Sequence, residues 1–286
     1  MDTINVDHRI TVKDLTRMKA RREPIVMCTA YDFHSARLVD EAGIDSILIG
    51  DSMGMTMMGY DSTVPVTLDD ILFSTKIVSR TSHHAFVIAD MPFMSFQVSY
   101  EEGMRNASRL VKEGGAQAVK LEGATDLTLK LTGGLSRAGI PVIAHLGLTP
   151  QSINTLGGYF SQGRAKEPAL LLVQEAHKVE EAGASAVVLE CIPTELAAHI
   201  TASLSIPTIG IGAGIGCDGQ VQVFHDLMGL GTFQPKHAKR YAHVEEIAAD
   251  ALGRFLSETK AGEFPGEEQS THLASDVAQS IEELRK

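Results

Sequence analysis

Short apolar runs alternate along the chain with longer amphipathic stretches, and this alternation is the strongest structural signal in the sequence. Seven runs are clear and an eighth, at 221–225, is weaker; the seven lie at 25–29, 46–50, 86–89, 118–121, 142–144, 186–189 and 207–211. Strands that are apolar on both faces are typical of parallel sheets covered by helices on both sides. The pattern therefore predicts eight parallel strands.

The stretches between the apolar runs have helical periodicity. They lie at 34–42, 68–79, 101–113, 127–138 and 168–182, and several are followed by glycine before the next strand. Glycine accepts the left-handed conformation that ends a helix. A series of eight strand–helix units predicts a (β/α)8 TIM barrel. A doubly wound open sheet is the alternative, because the eighth run is weak.

Both ends of the chain carry segments outside the predicted barrel. Thr11 is expected to cap a short helix that extends to Lys19 and covers the barrel floor. Residues 261–268 contain Gly, Pro and a Glu pair, which indicates a linker, and 275–286 form an amphipathic pattern. A C-terminal helix and an unstructured tail are both compatible with that pattern. We expect residues 1–260 to form a single barrel domain and 261–286 a polar C-terminal extension.

The composition is that of a globular protein with an acidic surface. Of 286 residues, 44% are hydrophobic and 21% charged, and 25 basic against 36 acidic residues give a net charge of −11. The longest basic run is the pair Arg21 and Arg22. An acidic chain without a basic stripe argues against nucleic acid or an anionic membrane as its partner.

The sequence also argues against export and membrane insertion. It has no stretch approaching the roughly 18 apolar residues of a membrane-spanning helix, and its polar N-terminus lacks the apolar core of a signal peptide. Cys28, Cys191 and Cys217 are dispersed and form no CxxC pair, which argues against a disulfide framework. We therefore expect a cytoplasmic protein of enzyme size.

Two predicted connections are longer than a barrel requires. One covers 51–65 after the second strand, and the other covers 146–167 after the fifth. Both leave from the C-terminal ends of their strands, where barrel enzymes carry their chemistry. Loops of this length in a compact domain are typical of lids or binding loops.

Polar residues follow five successive apolar runs, at the point where each predicted strand ends. They are Asp51 with Ser52, Asp90, Lys120 with Glu122, His145 and Glu190. In a barrel these side chains would converge at one mouth. Each has an ordinary alternative: an aspartate can cap a helix, Lys and Glu can form a buried pair, and His can be a satisfied core residue. Their joint occurrence favours a shared polar site.

The carboxylates of this set indicate a metal. Asp51, Asp90 and Glu122 offer only oxygen ligands, which Mg²⁺ prefers. Zinc is disfavoured because the cysteines are dispersed and no HExxH spacing occurs. A Mg²⁺ ion with two adjacent open positions suits a 2-oxo acid, which chelates through its keto and carboxylate oxygens. Chelation makes the neighbouring C–H bond acidic.

The glycine-rich segment GIGAGIGCDGQ, at 210–220, raises the alternative of a dinucleotide site. The usual fingerprint opens a βαβ unit and has an acidic residue about 20 positions further on. Here the segment follows the seventh predicted strand instead. Close approach of the backbone to a ligand or to a neighbouring strand is the favoured explanation.

Several motifs together resemble the ketopantoate hydroxymethyltransferase (3-methyl-2-oxobutanoate hydroxymethyltransferase) family of pantothenate biosynthesis. They cover roughly residues 10 to 245 and are MCTAYD at 27–32, GDSMGM at 50–55, ADMPF at 89–93, VKLEG at 119–123, AHLGLTPQ at 144–151, LECIP at 189–193, IGIGAG at 209–214 and DGQVQVFHD at 218–226. The resemblance implies a (β/α)8 barrel, in agreement with the strand–helix pattern.

The resemblance also implies roles for the polar residues. One Mg²⁺ per subunit would be held by Asp51, Asp90 and Glu122. Glu190 would be the residue that accepts a proton from the substrate. The 2-oxo acid would be bound by the metal and by a set of side chains, with His145 close to it; this set is Asp51, Ser52, Asp90 and Lys120.

The reaction that the resemblance implies is transfer of a one-carbon unit from 5,10-methylenetetrahydrofolate to 3-methyl-2-oxobutanoate, which gives 2-dehydropantoate. The family forms large homo-oligomers, commonly decamers. In one place the sequence departs from the family: Phe160 stands in the GGYF loop where the family has lysine. A cationic contact to the folate is therefore not expected at this position, and the folate-binding residues are not assigned.

Two other functions are compatible with a barrel of this kind. A Mg-dependent carbon–carbon lyase or phosphomutase of the isocitrate lyase/PEP mutase type would use the same metal and similar acids. The sequence contains no KKCGH-like loop, whose cysteine would serve that chemistry. A non-catalytic ligand-binding barrel would not need the acid, base and lysine that this chain combines.

Overall fold

A computed structural model describes residues 9–231 and 233–284 and shows a closed barrel of eight parallel strands. The strands follow one another around the barrel in chain order, and the last pairs with the first through Ile25 and Gly219. The (β/α)8 prediction is therefore confirmed, and the open sheet is wrong. The strands are β1 Ile25–Thr29, β2 Ser46–Ile49, β3 Phe86–Asp90, β4 Ala118–Glu122, β5 Val142–Gly147, β6 Ala186–Glu190, β7 Thr208–Ile211 and β8 Gly219–Gln222.

The eighth strand lies earlier than the apolar pattern predicts. It begins at Gly219, and the chain turns into a helix at Phe224 instead of continuing as a strand to 225. A Cβ atom at Gly219 would collide with the carbonyl oxygen of Ile25, so a residue without a side chain permits the close pairing with β1. The strand is thus set by its neighbours, and its own apolar content is low.

Helices surround the barrel and alternate with its strands, as predicted. Asp32 begins the second helix by accepting hydrogen bonds from the backbone N–H groups of His34 and Ser35. The helices are α1 Val12–Arg21, α2 Phe33–Glu41, α3 Met53–Thr56, α4 Leu68–Thr81, α5 Tyr100–Lys112, α6 Asp126–Arg137, α7 Ile153–Leu156, α8 Lys166–Glu181, α9 Thr194–Ser203, α10 Phe224–Met228, α11 Val244–Ala261 and α12 Ser275–Glu283, with short 3₁₀ turns at Pro150–Ser152 and Glu267–Gln269.

Helix α1 closes the N-terminal end of the barrel, and it runs past Lys19 to Arg21. At its start the Asp14 carboxylate accepts hydrogen bonds from the backbone N–H and the hydroxyl of Thr11. Leu15 and Met18 are buried against the apolar residues that fill the lower barrel, among them Phe86. The predicted floor helix is confirmed, and it removes apolar surface from water at the end opposite the strand C-termini.

The C-terminal helices lie differently from the others. No side chain of α11 or of the described part of α12 is buried. The large apolar residues of α11 are each more than half exposed; they are Ile247, Leu252, Phe255 and Leu256. A helix with four large apolar side chains facing solvent is typical of a surface that another chain covers. Within the described residues, no helix combines the length and apolarity needed to cross a membrane.

Candidate active site

The barrel interior changes from apolar to polar toward the C-terminal ends of the strands. Side chains alternate along a strand, so a side chain two residues after one that points into the barrel also points into the barrel. Asp90 follows Ile88 in this way on β3, and Glu190 follows Val188 on β6. The pattern repeats on β4 and β5, so the charged side chains form a layer directly above the apolar core.

All seven site residues predicted from the sequence lie together in this layer or at its rim. Five of them are buried: Asp51, Asp90, Lys120, Glu122 and His145. Ser52 and Glu190 are partly exposed at the open side. Strand register explains the neighbours, because Asp90 pairs with Lys120 across β3 and β4, and Glu122 pairs with His145 across β4 and β5.

Lys120 is surrounded by the carboxylates. Its Nζ atom lies 2.9 Å from Oδ1 of Asp90 and 3.6 Å from Oε1 of Glu122. The backbone N–H of Asp51 donates to Oδ2 of Asp90 at 3.2 Å, which draws the end of β2 toward β3. Burial lowers the pKa of Lys120, but the charges of Asp90, Glu122 and Asp51 outweigh burial and raise it, so the ammonium group stays charged.

The carboxylates carry more negative charge than Lys120 can balance. Burial and the charges of Asp90 and Glu122 raise the pKa of Asp51 well above its ordinary value. The pKa of Asp90 is also raised, by burial and by Glu122, although Lys120 opposes the change. Burial raises the pKa of Glu122 as well, but Lys120 and His145 outweigh it and lower that pKa. A further cation would relieve this repulsion.

His145 links two carboxylates. Its Nδ1 atom lies 3.2 Å from Oε1 of Glu122, and its Nε2 atom lies 3.1 Å from Oε2 of Glu190. Burial and the Lys120 charge lower the pKa of His145, but the bonds to Glu122 and Glu190 outweigh them and raise it to about 9. The Nε2 atom faces Glu190, and the Nδ1 atom also lies 3.3 Å from Nζ of Lys120.

Gly147 lets the ends of β5 and β6 approach closely beside this pair. It lies opposite Glu190 in the strand register and has φ +96°. A Cβ atom at this position would collide with the carbonyl oxygen of Glu190 and with the side chain of Ile192. The next N–H group, of Leu148, donates to the same carbonyl oxygen at 2.8 Å. The backbone of Glu190 is thus held from the side of β5.

Gln151 is a site residue that the sequence reasoning missed. Its side-chain N–H groups donate to Oδ2 of Asp51 and to the carbonyl oxygen of Met91, both at 2.9 Å. Its backbone N–H donates to Oε2 of Glu122 at 3.1 Å. The residue belongs to the AHLGLTPQ motif and lies in the 3₁₀ turn Pro150–Ser152, after the end of β5 at Gly147.

The two long loops meet above the layer of charged side chains. The hydroxyl of Tyr159, in the loop between β5 and α8, donates to Sδ of Met55 at 3.5 Å. Burial raises the pKa of Tyr159, and the charges of Asp51 and Glu190 raise it further. Phe160 is 63% exposed beside it. At the rim, the hydroxyl oxygens of Ser52 and Tyr31 lie 2.7 Å apart.

The donor set fits a hard cation by its chemistry. It consists of carboxylate oxygens from three neighbouring strand ends, and Oδ1 of Asp90 is buried without an aligned hydrogen-bond donor, although Lys120 lies close to it. Among the described residues, however, no three His, Cys, Asp or Glu side chains stand in a ready metal-ligand arrangement. Both oxygens of Glu122 are engaged by His145 and Gln151. Ligation by Glu122 together with Asp51 and Asp90 stays a prediction.

The glycine-rich segment does not form a dinucleotide site. It leads from β7 directly into β8, and the described residues between these strands contain no helix. A dinucleotide-binding loop needs a helix N-terminus for the phosphates.

The three cysteines are free thiols.

Comparison with known proteins identifies the family. A family model described as ketopantoate hydroxymethyltransferase matches residues 9–267. The chain belongs to this family. A 3-methyl-2-oxobutanoate hydroxymethyltransferase of Geobacillus sp. (strain WCH70) is 51% identical over 92% of this chain and 93% of its own length. The protein of the same name from Carboxydothermus hydrogenoformans is 49% identical, over 96% of this chain and 99% of its own length.

Solved structures of other proteins share the fold of this hydroxymethyltransferase family member. A phosphonopyruvate hydrolase matches with a TM-score of 0.60 and 14% identity, covering 96% of this chain and 97% of that chain. A 2,3-dimethylmalate lyase, described as a PEP mutase/isocitrate lyase superfamily member, matches with a TM-score of 0.57 and 17% identity, covering 98% and 100%. At these identities the likeness concerns the fold alone.

Proposed function

We propose that this protein is a 3-methyl-2-oxobutanoate hydroxymethyltransferase. It takes a one-carbon unit from 5,10-methylenetetrahydrofolate, with water, and gives 2-dehydropantoate and tetrahydrofolate. The observation that carries the proposal is the position of Glu190 at the rim of a buried carboxylate and lysine cluster, with its Oε2 atom 3.1 Å from Nε2 of His145. Membership of the family supports the choice of substrates.

We assign the cation site to Asp51, Asp90 and Glu122, holding one Mg²⁺ per subunit. When bound, the cation polarises the keto group of the 2-oxo acid and makes the neighbouring C–H bond more acidic. The burial of these three carboxylates, and an Oδ1 atom of Asp90 that has no aligned hydrogen-bond donor, support the assignment. Ser52, whose hydroxyl is held by Tyr31, lies beside Asp51 and is assigned to the 2-oxo acid together with Asp51 and Asp90.

The other charged side chains of the site bind the substrate and accept its proton. Lys120, buried and charged, balances the carboxylate of the 2-oxo acid. Glu190 accepts the proton from the branched carbon of the substrate, and that carbon then forms the new bond to the methylene group. The imidazole of His145 lies beside the Glu190 carboxylate at the mouth, with its Nε2 atom 3.1 Å from Oε2.

The test of this proposal is proton exchange without folate. The protein is incubated with Mg²⁺ and 3-methyl-2-oxobutanoate in heavy water, and NMR follows deuterium uptake at the branched carbon. We expect uptake, and formation of 2-dehydropantoate once methylenetetrahydrofolate is added. Absence of both results would reject the proposal. A lyase of the isocitrate lyase/PEP mutase type would instead cleave its own substrate and leave this carbon unlabelled.

We further propose that the protein assembles with copies of itself, as a decamer. The exposed apolar side chains of α11 support this, because a second copy covering them would remove that surface from water. Light scattering should then give a mass near that of ten chains of 30.7 kDa. The double variant Leu252→Glu and Leu256→Glu should dissociate the assembly, whereas the exposed-site variant Asp69→Asn should leave the mass unchanged.

Residues 1–260 are proposed as the catalytic domain and 261–286 as an extension. The end of α11 at Ala261 supports this boundary. A chain truncated after residue 260 should keep the heavy-water exchange. The three free thiols support the cytoplasmic location that we propose for the reaction.

A further inference from the structure

Gln151 is a buried neutral amide at the centre of the carboxylate cluster, and the chemistry proposed above gives it no task. It is 3% exposed. Its contacts reach two of the three carboxylates of the cation site: the side chain donates to Asp51 and the backbone N–H donates to Glu122. A buried polar residue that is hydrogen-bonded to two carboxylates of such a site holds a defined geometry.

The orientation of the Gln151 amide is fixed by its surroundings. Its nitrogen faces two acceptors, Oδ2 of Asp51 and the carbonyl oxygen of Met91, and its oxygen accepts a hydrogen bond from the side chain of Gln97 at 3.2 Å. Turning the amide over would place its oxygen against both acceptors and its nitrogen against the Gln97 donor. One orientation therefore satisfies all three contacts.

We propose that Gln151 is a positioning residue, which aims Asp51 and Glu122 at the cation while leaving their charge intact. This inference rests on the proposed function. A lysine at this place would bind the same oxygens but neutralise them, whereas an amide orients a carboxylate without competing with the cation for its charge. Outer-shell hydrogen bonds to ligating carboxylates commonly serve this purpose.

Gln151 also ties the long loop to the cation site. It lies in the 3₁₀ turn Pro150–Ser152, at the start of the segment that carries Tyr159 over the mouth. Gln151 therefore contacts the carboxylates of Asp51 and Glu122 and also lies at the start of the loop that carries Tyr159. Cation binding and the placement of this loop share one side chain.

The test is Mg²⁺ affinity measured by calorimetry on the full chain without substrate. In Gln151→Met we expect the affinity to fall about 10- to 100-fold, the usual cost of losing an outer-shell contact. The matched control is Gln97→Met, which removes the bond to the Gln151 oxygen but touches no carboxylate. It should bind Mg²⁺ like the unaltered protein.

A second variant covers the case in which Gln151→Met does not fold. Gln151→Asn keeps the backbone donor to Glu122 and a polar amide, but its side chain is one methylene too short to reach Asp51. We expect the same loss of affinity. In steady-state assays the Mg²⁺ concentration that activates either variant should rise, and saturating Mg²⁺ should restore turnover, because a positioning defect is overcome by mass action.

Three results decide the matter. Unchanged Mg²⁺ affinity in Gln151→Met and Gln151→Asn would overturn the positioning role and leave the proposed function standing. An equal loss in Gln97→Met would also overturn it, since loop packing would then explain the effect. If the unaltered protein binds Mg²⁺, the variants bind it weakly and no protein exchanges the substrate proton, the positioning role holds and the proposed function fails.

Discussion

The Nε2 atom of His145 lies 3.1 Å from Oε2 of Glu190, so an imidazole from one strand stands beside the carboxylate at the end of the next. The other ring nitrogen contacts Glu122. His145 thus connects the buried carboxylate cluster with the residue that faces the open mouth. The contact places Glu190, the proposed proton acceptor, next to the proposed cation site.

The first prediction concerns Glu190→Gln. Because glutamine cannot accept the proton, both turnover and deuterium uptake at the branched carbon should fall by about 10²- to 10⁴-fold or more, the usual contribution of a positioned base. NMR in heavy water measures both. The same change at the exposed Glu195 on α9 should have no effect. Undiminished uptake in Glu190→Gln would exclude Glu190 as the base.

Mg²⁺ should stabilise the fold through Asp90. A ligand present at about 100 times its dissociation constant adds roughly 2.7 kcal/mol to the free energy of unfolding. We expect this gain in urea unfolding of the unaltered protein, its loss with a chelator, and little gain in Asp90→Asn. Asp69→Asn, with a 78% exposed side chain, is the control. An equal gain in Asp90→Asn would remove that residue from the site.

Lys120→Met should destabilise the metal-free protein. Breaking a buried ion pair by removing one partner costs about 3–5 kcal/mol, because the carboxylates of Asp90 and Glu122 are left without their cation. Urea unfolding without Mg²⁺ measures this loss, and added Mg²⁺ should recover part of it. The exposed Lys112 on α5 provides the control substitution to methionine. A variant as stable as the parent would contradict the charge balance described here.

Asp40 should contribute to stability far from the site. Its buried carboxylate accepts three backbone N–H groups at the turn before β3, from His83 at 2.8 Å, His84 at 3.1 Å and Ala85 at 2.8 Å. Asp40→Ala leaves these donors unsatisfied, and the free energy of unfolding should fall by about 3 kcal/mol. Asp40→Asn retains one acceptor oxygen and should lose less. Equal losses would show that the charge, not the acceptor geometry, matters.

The stability contributed by Glu180 should depend on pH. Burial raises its pKa, but hydrogen bonds from Ser205 and the backbone N–H of Ile206 outweigh burial and lower it. A lowered folded pKa means that the stabilisation is complete above the ordinary value of about 4.3 and is lost as pH falls through the folded value. Glu180→Gln should therefore be less stable by about 1 kcal/mol at pH 7.

The pH series itself is the control for Glu180. Thermal unfolding of the parent and of Glu180→Gln should be compared between pH 7 and pH 3. The difference in stability should be constant at neutral pH and shrink below pH of about 4.3. A difference that stays constant to pH 3, or grows on acidification, would show that ionisation of Glu180 contributes nothing.

The strands that the sequence predicts well are those with their own apolar content. β1 is found at the predicted residues, because the first four residues of IVMCT are apolar. β8 is predicted too late because Gly219 and Gln220 carry no hydrophobic signal. Pairing with β1 and β7 determines that strand, and this is tertiary information.

The site residues likewise divide into those that the sequence pattern predicts and those that depend on tertiary structure. Charged residues directly after buried strands were predictable, since the closed barrel brings every strand end to one mouth. Gln151 was not, because a neutral amide in a loop is unremarkable until the loop path places it on Asp51. The His145–Glu190 contact required the register of β5 and β6, which periodicity does not supply.

Gly147 has one more implication. Even alanine at this position would act as a wedge, because its methyl group would occupy the space of the Glu190 carbonyl oxygen. Such a change would keep all the proposed acid, base and ligand residues, but it would push the end of β5 away from Glu190 at the end of β6. The substitution Gly147→Ala should therefore abolish activity, although it removes no functional group and adds only one carbon atom.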